Sequence, residues 1–348
     1  FYNERIDKLI RIDCMGKRGW NRKKMILNIL MAAGIIALMM FVFRKDYKEI
    51  LDSIRSVSVP GLLLIMVAGI GYQFWDAAMC YILLHKKNPA FRYRQAVDLT
   101  FLGVFGNALT SSAGNIPLQS FYLHEHGVQI GDGVGMLALK YVFHKTAICL
   151  YAAVMVFTQR RWLQSTIPEA MGYITLGMVV CVLIVVFLLA FFTWERVHSL
   201  LLYLIKKLPD TGKWKQWKVS WSNQTEALYK ESRTIVNDHA TCCKVMLLNL
   251  LKLCWLYLTP FLCMEALQIS NPGWGRIQAL ASVMLVIIGV LPSVAGMGPA
   301  EFAFLKLFTP YIGRVPASSS LVLYRTATWF FPVAISAGIT IRIQKEMM

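Results

Sequence analysis

Charged side chains inside long apolar runs are where this sequence could do chemistry. Arg325 lies in the apolar run 315–341, Lys252 in 244–264, Lys140, His144 and Lys145 in 132–158, and Asp76 in 59–84. Glu301 follows Gly298-Pro299 in a further, broken apolar stretch. A charge at bilayer depth costs roughly 3 kcal/mol on insertion scales, so it is retained when paired, hydrated or used. Arg325, Lys145 and Lys252 outnumber the deep acids Asp76 and Glu301, and surplus positive charge suits an anionic group such as a lipid phosphate. Arginine would hold that group bidentately and lysine as a point charge. Two plainer readings compete. Glu301 and Arg325 could be a buried ion pair that fixes helix register, and Lys145 and Lys252 could snorkel toward the interface.

Asp76 and His144 are candidates for proton or cation coupling, against ordinary helix–helix hydrogen bonding. No Ser/His/Asp or Cys/His grouping has the context of a nucleophile, so no catalytic residue is assigned and an enzyme is not expected. His124-Glu125-His126 resembles a metal motif, but residues two apart do not share a helix face. The eight cysteines include no CxxC pair, so neither a zinc site nor a disulfide framework is expected. No metal or cofactor is called for.

The elements that must position these residues follow from composition. Of the 348 residues 57% are hydrophobic and only 16% charged, where soluble chains carry about 25% charge. That excess of apolar surface needs lipid as its solvent. The net charge of +17 is what basic cytoplasmic loops produce. No RNA- or DNA-binding motif accompanies it, so nucleic acid is not an expected partner.

Six runs are long enough to span a bilayer, about 20 residues each: 25–43, 59–84, 132–158, 171–193, 244–264 and 315–341. Two stretches, roughly 96–126 and 277–312, are apolar but interrupted by Ser111, Ser112, Gly114 and Pro117 in one and by Pro292, Ser293, Gly296, Gly298 and Pro299 in the other. Helices do not continue through such sequences, and broken backbone at membrane depth survives only inside protein or along a wet cavity. Residues 1–24 and 194–240 each contain eight Lys/Arg and are predicted to be cytoplasmic. Both placements hold if each broken stretch enters and leaves on one side, the first from the cytoplasm and the second from outside. The expected fold is all-α and integral to the membrane, with about six full transmembrane helices and two oppositely oriented re-entrant hairpins. Both termini are then cytoplasmic. Amphipathic surface helices are predicted around 195–207 and 220–236.

The broken stretches also resemble each other. Residues 109–123 (LTSSAGNIPLQSFYL) align without a gap on 291–305 (LPSVAGMGPAEFAFL), with six of fifteen positions identical. His144-Lys145-Thr146-Ala147 matches Tyr324-Arg325-Thr326-Ala327. Each half thus has a Gly/Pro tip, a polar residue two after the proline (Gln119, Glu301) and a cation in the next span (Lys145, Arg325). Oppositely oriented repeats with paired interrupted helices point to a transporter's binding site. The division is a basic segment 1–24 and one membrane domain 25–348, holding a first repeat about 96–193, the linker 194–240 and a second repeat about 241–343. Substrate-binding candidates are Arg325, Glu301, Lys145, Lys252, Gln119 and Asn115.

Three segments resemble the flippase-like transmembrane region of the lysylphosphatidylglycerol synthases, the multiple peptide resistance factor family. They are the first tip followed by Tyr122-Leu123 and Gly127, Gly296-Met297-Gly298-Pro299-Ala300-Glu301 with Gly313, and Leu323-Tyr324-Arg325-Thr326. The likeness covers roughly 25–341. It implies a bacterial cytoplasmic membrane protein that moves an anionic or aminoacylated phospholipid, such as phosphatidylglycerol or lysyl-phosphatidylglycerol, between leaflets. The family's lysyl-transferring synthase domain is not expected here. A separate synthase or glycosyltransferase partner and a homodimer are both compatible with it. Alternatives are a transporter of a polyprenyl-linked glycan or small solute, or an enzyme acting on a lipid phosphate.

Overall fold

The structure, a computed structural model, describes residues 47–86, 88–110, 115–207, 236–270, 273–290 and 298–347, with isolated helical positions between 218 and 233. The described residues contain helices and no strand. The run 25–43 and the tip residues Ser111, Ser112, Gly114, Pro292, Ser293 and Gly296 lie outside them.

A short helix α1 (Tyr47–Arg55) leads into α2 (Val59–His85). Ser58 caps α2 by accepting the Gly61 N–H at 3.3 Å, and Pro60 occupies its first turn, where a missing N–H costs nothing. The first broken stretch is α3 (Tyr93–Thr110) and α4 (Asn115–Glu125), which pack on each other. Then come α5 (Ile130–Thr158), the short α6 (Arg160–Thr166), α7 (Met171–Thr193) and α8 (Glu195–Lys206). After the linker, α9 (His239–Ala266) is followed by the second broken stretch, α10 (Trp274–Val290) and α11 (Pro299–Ile312), also in mutual contact. The chain closes with α12 (Arg314–Arg325), a π-helical turn (Thr326–Phe330) and α13 (Phe331–Met347).

Four of these stretches are long and apolar enough to cross a membrane: Val59–His85, Ile130–Thr158, His239–Ala266 and Arg314–Glu346. They coincide with four of the six predicted spans, and Met171–Thr193 with a fifth. Much of their apolar surface faces outward, Phe157 at 82% and Phe187 at 65% exposure among the extremes. Water would penalise such faces; hydrocarbon does not.

The longest pairing is α2 against α9, which run antiparallel along their lengths. Gly61 is beside Ala266, the Ala68 carbonyl accepts the Trp255 indole N–H at 2.8 Å, Asp76 meets Lys252, and Lys86 meets Asp238 at the far end. Two glycines let α2 approach its neighbours closely, one at α9 and one at the π turn. A Cβ on Gly71 would lie 2.4 Å from the Trp255 ring nitrogen, and one on Gly69 would lie 2.2 Å from the Ala327 carbonyl of the π turn.

That π turn has a local cause. Pro332 has no N–H for the carbonyl four residues back and its ring crowds it, so the helix opens just ahead of the proline. The Thr328 hydroxyl donates to the Tyr324 carbonyl at 2.7 Å within the opened turn.

The buried side chains form layers along α2. Ile65 joins a core with Met264, Phe304, Phe308 and Tyr324, around the second broken stretch. Ala77, Met79 and Leu84 join another with Leu99, Tyr122, Leu123 and Val245, around the first. The two broken stretches therefore pack toward opposite ends of the α2–α9 pair.

Candidate functional site

Glu301 is the third residue of α11, and both its carboxylate oxygens are engaged. Oε2 accepts the Gly298 N–H at 2.6 Å, satisfying a backbone donor that helix starts leave open. Gly298 can turn the chain there because its φ is +95°, a conformation side chains disfavour. Oε1 lies 2.7 Å from Arg325 Nε. The Arg325 guanidinium is also 5.5 Å from the Trp329 ring centroid, within cation–π range. Glu301 and Arg325 are each 7% exposed. The pair thus joins the start of α11 to the last turn of α12, immediately before the π turn.

A second charged cluster is formed by three helices. Asp76 of α2 accepts from Lys140 of α5 at 2.6 Å and from Lys252 of α9 at 2.9 Å, one lysine on each oxygen. Lys140 also reaches the Cys80 sulfur at 3.3 Å, and Lys252 lies 5.0 Å from the Tyr72 ring centroid. Tyr72, Asp76 and Cys80 are spaced one helical turn apart, as are Lys140 and His144, so each helix offers one polar face. Lys252 is 1% exposed, near the middle of α9.

Lys145 lies elsewhere. Its ammonium is 3.1 Å from where a Gly289 Cβ would stand, in a recess that includes Ile148, Cys181 and Val286. The C-terminal turn of a helix presents the negative end of its dipole, which favours a cation. Arg325, Lys252 and Lys145 therefore have three different sets of partners rather than one shared cluster. The sequence reading paired Glu301 with Arg325 and named Asp76, but gave Lys140 no role. The available signal was that Lys140 shares a helix face with His144.

In the first broken stretch, the Gln119 amide donates to the Leu99 carbonyl at 2.7 Å and is buried. This clips α4 to α3. Gly103 makes room, since a Cβ there would be 2.5 Å from Gln119 Nε2 and 2.8 Å from Asn115 Oδ1. Asn115 Oδ1 is buried with no hydrogen-bond partner. Pro117 is exposed in the first turn of α4, and Pro299 is buried in the first turn of α11. Asp98 of α3 pairs with Arg342 of α13, tying this stretch to the last helix. Among the described residues no group of three or more His, Cys, Asp or Glu could hold a metal. The His126 Nδ1–H donates to the Tyr122 carbonyl at 2.8 Å.

Long apolar helices, interrupted helix pairs and buried charges define a multi-spanning helical membrane protein with charged groups buried in an apolar interior. The chain belongs to the family of the lysylphosphatidylglycerol synthase transmembrane region, whose model matches residues 25–336. The matched part is that family's membrane region, not its synthase domain. A search among curated proteins returned no match.

Proposed function

We propose that the chain translocates an anionic or aminoacylated phospholipid, such as phosphatidylglycerol or lysyl-phosphatidylglycerol, between membrane leaflets. The observation that carries this reading is the buried Glu301–Arg325 pair at the junction of α11, α12 and the π turn. A guanidinium presents five N–H donors in a planar fork that matches a phosphate. Glu301 then either receives Arg325 back after release or meets the amine of a lysyl headgroup. Family membership supports a lipid-related role in the membrane.

The packing of the two broken stretches toward opposite ends of the α2–α9 pair supports reading them as re-entrant hairpins of opposite orientation in an inverted repeat. In that arrangement the tips 110–117 and 292–299 gate the path from either side, and the acyl chains stay in lipid while the headgroup crosses. The setting is the bacterial cytoplasmic membrane, with both termini inside. A separately encoded synthase or glycosyltransferase that supplies the lipid fits this role.

The test is leaflet exchange of fluorescent phosphatidylglycerol and lysyl-phosphatidylglycerol in proteoliposomes. Exchange faster than in empty vesicles, lost in Arg325→Ala, is the expected result. Exchange unchanged in that variant would remove Arg325 from the site. No exchange of either lipid, with a polyprenyl-linked glycan moved instead, would replace the substrate.

A further inference from the structure

The linker begins at the membrane edge. Helix α7 is 23 residues long and uncharged. At 1.5 Å per residue it is about 34 Å long, which uses up the roughly 30 Å of a bilayer's hydrocarbon. Trp194 ends it: its backbone is extended (φ −93°, ψ 112°), while its N–H still donates to the Ala190 carbonyl at 2.9 Å. Helix α8 starts at the next residue. Val197, Leu201 and Ile205 of α8 are buried or half-buried, whereas Arg196, Leu200, Tyr203 and Lys207 form an exposed stripe at one-turn spacing. Cations stand at both ends of that stripe and apolar groups in its middle, with Lys207 Nζ 5.5 Å from the Tyr203 ring centroid.

A second element completes a groove beside the stripe. Tyr229 and Arg233 are helical positions of the linker one turn apart. The Tyr229 ring stacks on the His198 ring of α8, 4.1 Å between centroids and 12° between planes, and the Arg233 guanidinium lies 5.5 Å from the Tyr229 centroid. This sandwich brings Arg233 to the same groove as Arg196, Ser199, Leu200 and Tyr203, and the lining also includes Trp194 and Glu195. The groove holds about 870 Å³, a volume in the range of small-ligand sites. No ion pair engages Arg196 or Arg233 among the described residues, and the single lining carboxylate, Glu195, leaves the groove net positive.

We propose that this groove is a docking site for the headgroup of an anionic phospholipid, in the leaflet at the C-terminal end of α7. Arg196 and Arg233 meet the phosphate from two elements, each with a planar fork of donors, and the Ser199 hydroxyl adds another donor. The acyl chains have a continuous path. Leu200 and Leu204 offer exposed apolar surface on α8. Leu183 and Phe187 are exposed on α7, eleven and seven residues before Trp194 and so on its face of the helix. A soluble anion would leave that apolar surface in water, and a lipid covers it. None of the lining residues belongs to α11 or α12, so the groove is separate from Glu301 and Arg325. The docking itself does not rest on translocation; its use as the loading point for a transported lipid rests on the function proposed above.

Native mass spectrometry of the purified full chain in detergent tests this by counting the lipids retained, with phosphatidylglycerol and phosphatidylcholine as probes. The expected result is tighter retention of phosphatidylglycerol. Its affinity should fall about fivefold in Arg196→Gln and about 25-fold in Arg196→Gln/Arg233→Gln, the strength of one and of two basic residues at an anionic surface. Phosphatidylcholine retention should not change. Arg196→Gln leaves the Tyr229 stack untouched, so a loss in that variant is not a packing effect. Arg160→Gln/Arg161→Gln removes two exposed arginines beyond the opposite end of α7 and should bind like the wild type.

Equal phosphatidylglycerol retention in the wild type and the Arg196/Arg233 double variant overturns the proposal. So does an equal loss in the Arg160/Arg161 control, which would show only general charge attraction. Displacement of the lipid by glycerol 3-phosphate at equal concentration would overturn it by giving the groove to a free phosphate. Binding of polyglutamate, or a dimer, lost in the double variant while the lipid count is unchanged would overturn it in favour of an acidic protein segment or a second copy of the chain. Leaflet exchange in the same variants keeps the two readings apart. Retention lost in the double variant with exchange unchanged supports docking alone, and exchange lost only in Arg325→Ala leaves translocation standing if the docking site fails.

Discussion

Glu301 and Arg325 approach to 2.7 Å, and the Glu301 carboxylate simultaneously accepts the Gly298 N–H that opens α11. One side chain therefore stabilises a helix start and holds a buried cation. Removing either partner has different consequences, because only one of them also caps a helix.

Arg325→Ala leaves a buried carboxylate with its cap but without its counter-charge, which typically costs about 3–5 kcal/mol. Glu301→Gln keeps an acceptor for the Gly298 N–H but removes the negative charge beside Arg325. The double variant Glu301→Gln/Arg325→Ala is expected to be more stable than Arg325→Ala alone, since no unpaired charge remains. Thermal unfolding of the variants in detergent, read as a double-mutant cycle, checks this. Simple additivity would mean the two groups do not interact.

Gly69→Ala is expected to destabilise the chain by about 1–3 kcal/mol, the usual range for overpacking. Its Cβ would stand 2.2 Å from the Ala327 carbonyl, which is backbone and cannot swing aside. Gly338→Ala is the contrast. Nothing lies within 4 Å of a Cβ there, so the substitution should stabilise α13 by roughly 0.5–1 kcal/mol. Equal unfolding temperatures for the two variants would contradict the close approach of α2 to the π turn.

Gly103→Ala should act locally. The added methyl meets side-chain atoms of Gln119 and Asn115, which can move, but the Gln119–Leu99 hydrogen bond is lost as they do. Hydrogen exchange should become faster in α4 and the last turns of α3, with the α2–α9 pair unaffected. Protection unchanged in α4 would show that Gln119 does not clip the two helices together.

Asp238 supplies a pH effect outside the spans. Hydrogen bonds from Lys86 and from the Thr241 side chain and backbone hold its carboxyl well below the ordinary carboxylate range. A depressed folded-state value means the stabilisation is present above the unfolded carboxylate's pKa and is lost as pH falls below it. Unfolding temperature should therefore decline in acid, and Asp238→Asn should flatten that dependence. The same acid slope in the variant would assign the effect to another carboxylate.

The hairpin topology predicts which surfaces are labelled. In a cysteine-free background, a cysteine at exposed Arg196 on α8 should react from the same side as one in residues 1–24, and a cysteine at exposed Trp274 from the opposite side. Labelling of all three from one face would rule out the proposed arrangement of the two broken stretches.

The sequence by itself determined the elements. Among the described residues, apolar runs long enough to cross a bilayer are helices because backbone groups in lipid must pair within the segment. Gly and Pro interrupted two of them, dividing 96–126 and 277–312 each into two helices. Glu301 next to a Gly-Pro turn and Arg325 deep in the last span were legible as partners because a buried charge needs one. What only the tertiary structure decided is the facing of those helices. Spans that are apolar all round show no stripe to say which side turns inward. Asp76, Lys140 and Lys252 are therefore scattered charges in the chain, 64 and 176 positions apart across the two contacts. They become one cluster only when α2, α5 and α9 pack. The approach of Gly69 to Ala327 was equally invisible, because a glycine's missing Cβ acquires meaning only from the atom that occupies its place.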